Sequence, residues 1–458
     1  MLLADSLALH NAHTHIAFRG AHDVHMSAVH TDTLFALHGA HGNDNMSAGH
    51  TNTVFALGAV HDAHGIGNMS ANHTATSFAI HDADGIRVIP IHNNNNLQYY
   101  GQVGLGSGNK PFRVIFDTGS EPLWVPHIDC TSQVCKSHHR FDPEQSSSFE
   151  KGSGGTNLAY GTGHVKIEFD KDTLMFPEAH FRGEPQAEAP TTAVASAFNN
   201  TNDKTTWPKY SVGLATSVAK KPFQNLSMID GIFGMGPKTE FAKNQFAVYL
   251  SNDTAKDGQL VLAKDDQPIL GAMKDHSVSN DIVWHKTVSP NSWSLELVGI
   301  KVGDKLVGSC SPEAPCKALI DTGSSNITGP PDEIGDLIRR IHPVCGKTEN
   351  GPEVTLLIKE SPDGAVVPYK LSPKEYSVDF KDTKECNLGI SGLNMGEKKW
   401  VLGDTFLRRY ISLYDSEHHR VGFVKSHHDN ENIGVVTRAC MPQILLIRRR
   451  AVAIDFLF

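Results

Sequence analysis

One tetrapeptide occurs twice in the chain, each time at the end of an apolar run. Val114-Ile115-Phe116 leads into Asp117-Thr118-Gly119-Ser120, and Ala318-Leu319-Ile320 leads into Asp321-Thr322-Gly323-Ser324. A given tripeptide turns up by chance in about one of twenty chains of this length at average residue usage. Two copies in the same context are far rarer. A single copy would read as an ordinary strand-end turn, because Asp and Gly favour turns. The repetition points instead to a pair of acids built to be used together.

Two carboxylates within hydrogen-bond reach do not both ionise easily. One pKa falls, the other rises, and the pair shares a proton over an acidic range. The ionised member takes a proton from a bound water while the protonated member polarises a carbonyl. That is amide hydrolysis without a metal, a cofactor or a covalent intermediate. The residues after each Asp suit the task. A Thr hydroxyl ties the two turns together, a Gly lets substrate backbone come close, and a Ser hydroxyl bonds the outer carboxylate oxygen.

From about residue 91 to 425, short runs rich in Val, Ile, Phe and Tyr alternate with Gly, Asn, Asp and Pro, as in 99–105, 112–116, 260–262, 295–302 and 410–414. Many short strands with frequent turn signals predict a mainly β fold. Helices are expected over 239–249 and 331–341; the second opens with Pro-Asp-Glu, as the helix dipole favours. The net charge of −9 argues against a nucleic-acid binder held by a basic face. No run approaches the roughly 18 apolar residues of a spanning helix.

The ends have a different texture. Residues 1–92 hold 14 of the 26 histidines, no Lys, and a unit that starts at Met26, recurs at Met46 and recurs more loosely at Met69. The apolar patch in each unit is too short for a solenoid ladder, so 1–90 is expected to be mainly disordered. Metal binding by its histidines is the rival reading. The first residues lack the charged start and apolar stretch of a secretory signal. Residues 427–458 form an irregular tail.

At these motifs the chain resembles the pepsin-like eukaryotic aspartic proteases, the group of cathepsin D and the plasmepsins. Gln98-Tyr99-Tyr100-Gly101, Leu123-Trp124-Val125-Pro126, Tyr160-Gly161-Thr162-Gly163, Asp230-Gly231-Ile232-Phe233-Gly234 and Trp400-Val401-Leu402-Gly403-Asp404-Thr405-Phe406 all carry the likeness. The resemblance implies an all-β bilobal fold with an interlobe cleft and a few short helices. The expected lobes are 91–275 and 276–426. It implies Asp117 and Asp321 as the catalytic pair, supported by Thr118, Ser120, Thr322 and Ser324. Tyr160, Gly161 and Thr162 fall on a substrate-covering flap, with Trp124 behind it and its polar tip linked to Tyr160. Gly119 and Gly323 meet the peptide backbone. It also implies disulfides Cys130–Cys135, Cys310–Cys316 and Cys345–Cys386, hence an oxidising compartment; Cys440 is left over. Further expectations are a monomer acting on protein or peptide substrates, without nucleic acid, metal, cofactor or membrane segment. Its place is the secretory pathway, in an acidic vesicle or outside the cell.

Several features depart from the family pattern. Glu121-Pro122 replaces the usual Ser-Asn after the first motif. His164 follows the flap, and reads either as a pH-sensitive element or as a solvent-facing side chain. Residues 183–208 read as a long surface loop. Asn199, Asn225, Asn252 and Asn326 are candidate glycan positions, with Asn326 expected to be buried. The Lys/Arg-rich prosegment is missing, and a mature start within 86–96 is expected. These departures keep open a catalytically inactive peptide-binding protein on the same fold.

Overall fold

Each Asp-Thr-Gly-Ser turn is held by the same local construction. In the first, the strand Lys110–Asp117 runs into the turn, the chain leaves along Leu123–Pro126, and Gly231–Gly234 returns to pair with both. It is parallel to the former, with Gly234 opposite Asp117, and antiparallel to the latter. In the second, Cys316–Ile320, Ile327–Gly329 and Lys399–Leu402 repeat the arrangement, with Leu402 opposite Ile320. The duplicated sequence is therefore a duplicated structure. The computed structural model describes residues 86–161, 163–177, 180–181, 206–221, 223–225, 228–263, 266–279, 281–341, 351–379, 385–396, 398–427 and 439–440, with the strands Ile16–Arg19 and Phe35–His38.

The two units belong to two large sheets, one of 14 strands and one of eight, with few short helices between them. This is the all-β, bilobal, pepsin-like architecture expected above. The larger sheet has two parts. One contains the first acidic turn and the hairpin Gly155–Tyr160 with Gly163–Met175. The other joins Arg87–Asn94 to Gly258–Ala263, Gln245–Tyr249, Tyr410–Asp415, Arg420–Lys425 and Val283–Lys286 in that spatial order. Arg87–Asn94 crosses the expected boundary at residue 90 and carries the buried Val88, Ile89 and Ile91. Of residues 1–85, only Ile16–Arg19 and Phe35–His38 are described, as a parallel pair; the expectation of disorder there lies otherwise outside the described residues. In the C-terminal tail, Ala439–Cys440 runs parallel to Glu385–Leu388, with Cys440 opposite Cys386.

The helix Pro331–Ile341 forms as expected. Ile334, Leu337, Ile338 and Ile341 give it one buried stripe, with Asp332 and Glu333 in its first turn and Arg339 and Arg340 in its last. The other expected helix does not form. Residues 239–249 contain a short 3-10 turn, Phe241–Lys243, and then the strand Gln245–Tyr249. The reason is burial on both faces. Phe246 and Val248 enter one core cluster while Ala247 and Tyr249 enter another, so the polar-apolar alternation that marks a half-buried strand is absent. The expected loop 183–208 also ends early. Thr206–Val218 is a strand whose Trp207 packs on Phe176 at 5.4 Å, and its Pro208 falls at a register irregularity, where a missing amide hydrogen is tolerated.

Asp415 anchors the hairpin formed by Tyr410–Asp415 and Arg420–Lys425. Its carboxylate accepts from Arg420 Nε at 2.7 Å, from the His418 amide at 3.0 Å and from Gln245 Nε2 at 3.0 Å. Burial alone would raise this carboxyl; the His418 amide and the Arg420 side chain outweigh it and hold the group below its usual range. A depressed carboxyl stabilises the fold above its unfolded pKa of about 3.9, and that contribution disappears as pH falls through the folded value. Asp415→Asn is expected to cost about 1–3 kcal/mol at pH 6. The cost shrinks toward zero in strong acid, as urea midpoints measured from pH 6 to pH 2 will show.

Candidate active site

The two acidic turns meet. Thr118 donates its amide to Thr322 Oγ1 at 3.1 Å, and Thr322 donates its amide to Thr118 Oγ1 at 3.1 Å. Each hydroxyl then donates across to the opposite strand: Thr118 to the Ile320 carbonyl at 2.8 Å, Thr322 to the Phe116 carbonyl at 2.5 Å. Four reciprocal bonds, all buried, fix the turns against one another. Trp293 adds a further link that the sequence reading missed. Its indole donates to the Met235 carbonyl at 2.9 Å, and Met235 donates its amide to the Asp117 carbonyl at 2.7 Å.

Asp117 and Asp321 sit in matching shells. Asp117 Oδ1 accepts from the Gly119 amide at 2.8 Å, and its Oδ2 accepts from the Ser120 hydroxyl. Asp321 Oδ1 accepts from the Gly323 amide at 2.8 Å, and its Oδ2 from the Ser324 hydroxyl at 2.7 Å. Both side chains are buried, at 5% and 2% exposure, and they lie within hydrogen-bond reach of each other. Burial first, and the neighbouring Asp321 second, push the Asp117 carboxyl well above its usual range. The glycines are what permits this approach. A Cβ on Gly119 would lie 2.7 Å from the Asp321 carboxyl, and one on Gly323 would lie 2.5 Å from Asp117 Oδ1.

In the hairpin of Gly155–Tyr160 with Gly163–Met175, Tyr160 lies opposite Gly163 across the turn. Gly161 has φ +48°, which a two-residue hairpin turn demands of its first position. Thr162 lies outside the described residues. Tyr160 accepts from Trp124 Nε1 at 2.9 Å, the link expected from the sequence. Ser120 in turn donates to Asp117. Burial, helped by the Asp117 charge, raises the Tyr160 hydroxyl, so it remains a proton donor. His164 is exposed.

The residues packed about Trp124 and Tyr160 are apolar. Ile115, Tyr160, Phe223, Ile229 and Ile232 share one cluster with Trp124, and Phe223 meets both Trp124 and Tyr160 edge-on, at 5.5 and 5.7 Å. The second lobe also holds a buried carboxyl close to Asp321, that of Asp404, which the sequence reading quoted without assigning. Its amide donates to the Ser324 carbonyl at 2.7 Å, and burial pushes its carboxyl well above the usual range despite Arg408, with Asp321 adding to the rise. The signal was an Asp inside the apolar run Val401-Leu402-Gly403-Asp404-Thr405-Phe406.

Disulfides join Cys130 to Cys135, with Cα atoms 5.9 Å apart, and Cys310 to Cys316, at 5.3 Å. The expected Cys345–Cys386 pair lies outside the described residues. Asn326 is buried, at 7% exposure, and Asn252 is exposed. Among the described residues no helix is long and apolar enough to cross a membrane.

Opposed Asp-Thr-Gly-Ser turns in two similar lobes, with a Tyr-bearing hairpin in the same sheet as the first turn, define a protein class, and residues 98–426 match the family described as eukaryotic aspartyl protease. The chain belongs to that family and is an aspartic-type endopeptidase. It is similar to cathepsin E of Rattus norvegicus, 32% identical over 351 residues that cover 73% of this chain and 81% of that protein. Gastricsin of Oryctolagus cuniculus is 29% identical over 344 residues, covering 71% and 80%. Cathepsin E-B of Xenopus laevis is 30% identical over 347 residues, covering 73% and 80%.

Proposed function

We propose that Asp117 and Asp321 are the catalytic pair of this endopeptidase. In this reading it cleaves peptide bonds between hydrophobic residues, in acid, by activating a water held between the two carboxyls. The observation that carries the reading is the matched, buried and opposed placement of the two carboxyls, with Asp117 pushed up.

A pair that shares one proton supplies an acid and a base together. The ionised carboxyl takes a proton from the water as its oxygen bonds to the substrate carbon. The protonated carboxyl gives its proton to the carbonyl oxygen. The tetrahedral intermediate then collapses: the C–N bond breaks, the amine nitrogen takes a proton from the pair, and the acid product forms. Full protonation removes the base and full ionisation removes the acid, so activity falls on both sides of an acidic optimum. An extended peptide is held through its backbone, and side pockets read alternate residues. The wall of Ile115, Tyr160, Phe223, Ile229 and Ile232 favours large apolar side chains there. Tyr160, Gly161 and Thr162 cover the peptide, and Gly119 and Gly323 let its backbone approach. The remaining expectations, a monomer working in an acidic vesicle or outside the cell, and lobes bounded near residues 275 and 426, belong to the same reading.

A mixed peptide library incubated with the full chain between pH 3 and pH 7 tests it. The expected outcome is cleavage next to Phe, Leu, Tyr or Ile, with a bell-shaped acidic profile. Cleavage that ignores flanking side chains, or that rises steadily toward neutral pH, overturns the proposed specificity or mechanism.

A further inference from the structure

Glu121-Pro122 is the departure that this reading leaves unused. Between Phe116 and Pro126 the only ionisable side chains are Asp117 and Glu121, and they are placed oppositely: Asp117 is buried and Glu121 is exposed. The backbone that carries Glu121 is stapled down on both sides. The Ser120 carbonyl accepts from the Gly236 amide at 2.8 Å, and the Pro122 carbonyl accepts from the Gly234 amide at 3.1 Å. The Glu121 side chain runs over Gly236, where a Cβ would come within 2.9 Å of its Cγ. The bare glycine leaves that lane open. Among the described residues, no ion pair or hydrogen bond engages the Glu121 carboxylate.

Its position relative to the proposed chemistry is set by the chain. Ser120, the preceding residue, donates its hydroxyl to Asp117. Glu121 lies four residues from Asp117, so the two Cα atoms are at most about 14 Å apart, the span of about four residues of extended peptide. Glu121 therefore stands exposed, on a fixed backbone, within that distance of the proposed catalytic pair.

We propose that Glu121 is a specificity-determining residue: its carboxylate selects substrates with a Lys or Arg side chain a few residues from the scissile bond, on the side that runs past Gly119 and Ser120. This rests on the peptidase reading and adds a charge rule to its apolar preference. Exposed ion pairs are individually weak. A carboxylate whose backbone is already fixed gives up less entropy on pairing, and charge complementarity acts chiefly on specificity. The expected step is about five- to tenfold in kcat/KM.

The test uses the full chain and peptides with one constant apolar cleavage site, in which Lys, Met or Glu is moved through the four positions on either side. At one position the wild type is expected to prefer Lys over Met over Glu, by about five- to tenfold per step. Glu121→Gln brings the Lys-to-Met ratio close to one, and Glu121→Lys reverses the order. Salt at 1 M, where the Debye length is about 3 Å, shrinks the wild-type preference. A ratio between two peptides on one enzyme cancels any effect of the variant on folding or on the aspartates. Identical ratios in all three proteins, with cleavage still dependent on Asp117, overturn the inference and leave the peptidase reading standing. No cleavage of any peptide by the wild type overturns both.

Discussion

Replacing Asp117 by Asn is expected to lower kcat/KM by about 10⁴-fold or more, which is at least about 5.5 kcal/mol of transition-state stabilisation. Asn keeps the shape and still accepts the Gly119 amide through its oxygen. It cannot share a proton, so the pair loses either its acid or its base. Binding of a peptide whose scissile bond has been reduced to an amine is expected to change far less than turnover, because the apolar wall and the hairpin remain. Stability supplies a second readout. The Asp117 carboxyl is raised by burial and by Asp321. A carboxyl raised in the folded state stabilises fully below its unfolded pKa, and that contribution is lost as pH rises through the folded value. The wild-type urea midpoint, taken relative to that of Asp117→Asn at the same pH, should therefore fall from acid toward neutral pH. An active variant, or parallel stability curves, would remove Asp117 from the proposed pair.

Much of the site was legible because its chemistry is written in consecutive residues. The acid, the cross-linking hydroxyl, the approach glycine and the supporting hydroxyl stand side by side in each motif, and the geometry uses every one of them. Trp124 and Tyr160 were legible as a pair because a buried indole and phenol each need a partner. What escaped notice works at long range. Trp293 reaches Met235 across 58 residues, and Asp404 reaches Ser324 across 80; no local pattern encodes either contact. The helix expected over 239–249 failed for a related reason. Gln245–Tyr249 lies between Gly258–Ala263 and Tyr410–Asp415, and a strand buried on both faces carries no alternation by which to recognise it. The helix Pro331–Ile341 has one face to bury and one to leave in water, so its periodicity was visible. The sequence thus announced elements with a single core face and was silent about those with two.

Gly323→Ala removes no chemical group from the site, yet it is expected to lower kcat/KM by about 10³-fold, roughly 4 kcal/mol. The added Cβ would sit 2.5 Å from Asp117 Oδ1 and 2.6 Å from its Cγ, closer than real contacts allow. Neither partner yields easily. The Asp117 carboxyl is tethered by Gly119 and Ser120, and the Gly323 amide by Asp321. The turns themselves are fixed by the threonine cross-links. The clash must therefore spread the two carboxyls, at a cost in fold stability of about 1–3 kcal/mol. Spreading has a signature that simple damage lacks. Two interacting carboxyls titrate at pKa values held apart by their mutual repulsion and shared proton. Moving them apart brings those values together, so the residual activity should show a narrower pH bell than the wild type. Gly108→Ala is the control, because a Cβ there meets nothing within 4 Å, and its profile should overlay the wild type. If Gly323→Ala retains a wild-type bell at reduced height, the carboxyls have kept their coupling, and the glycine matters for substrate approach instead of for holding the pair together.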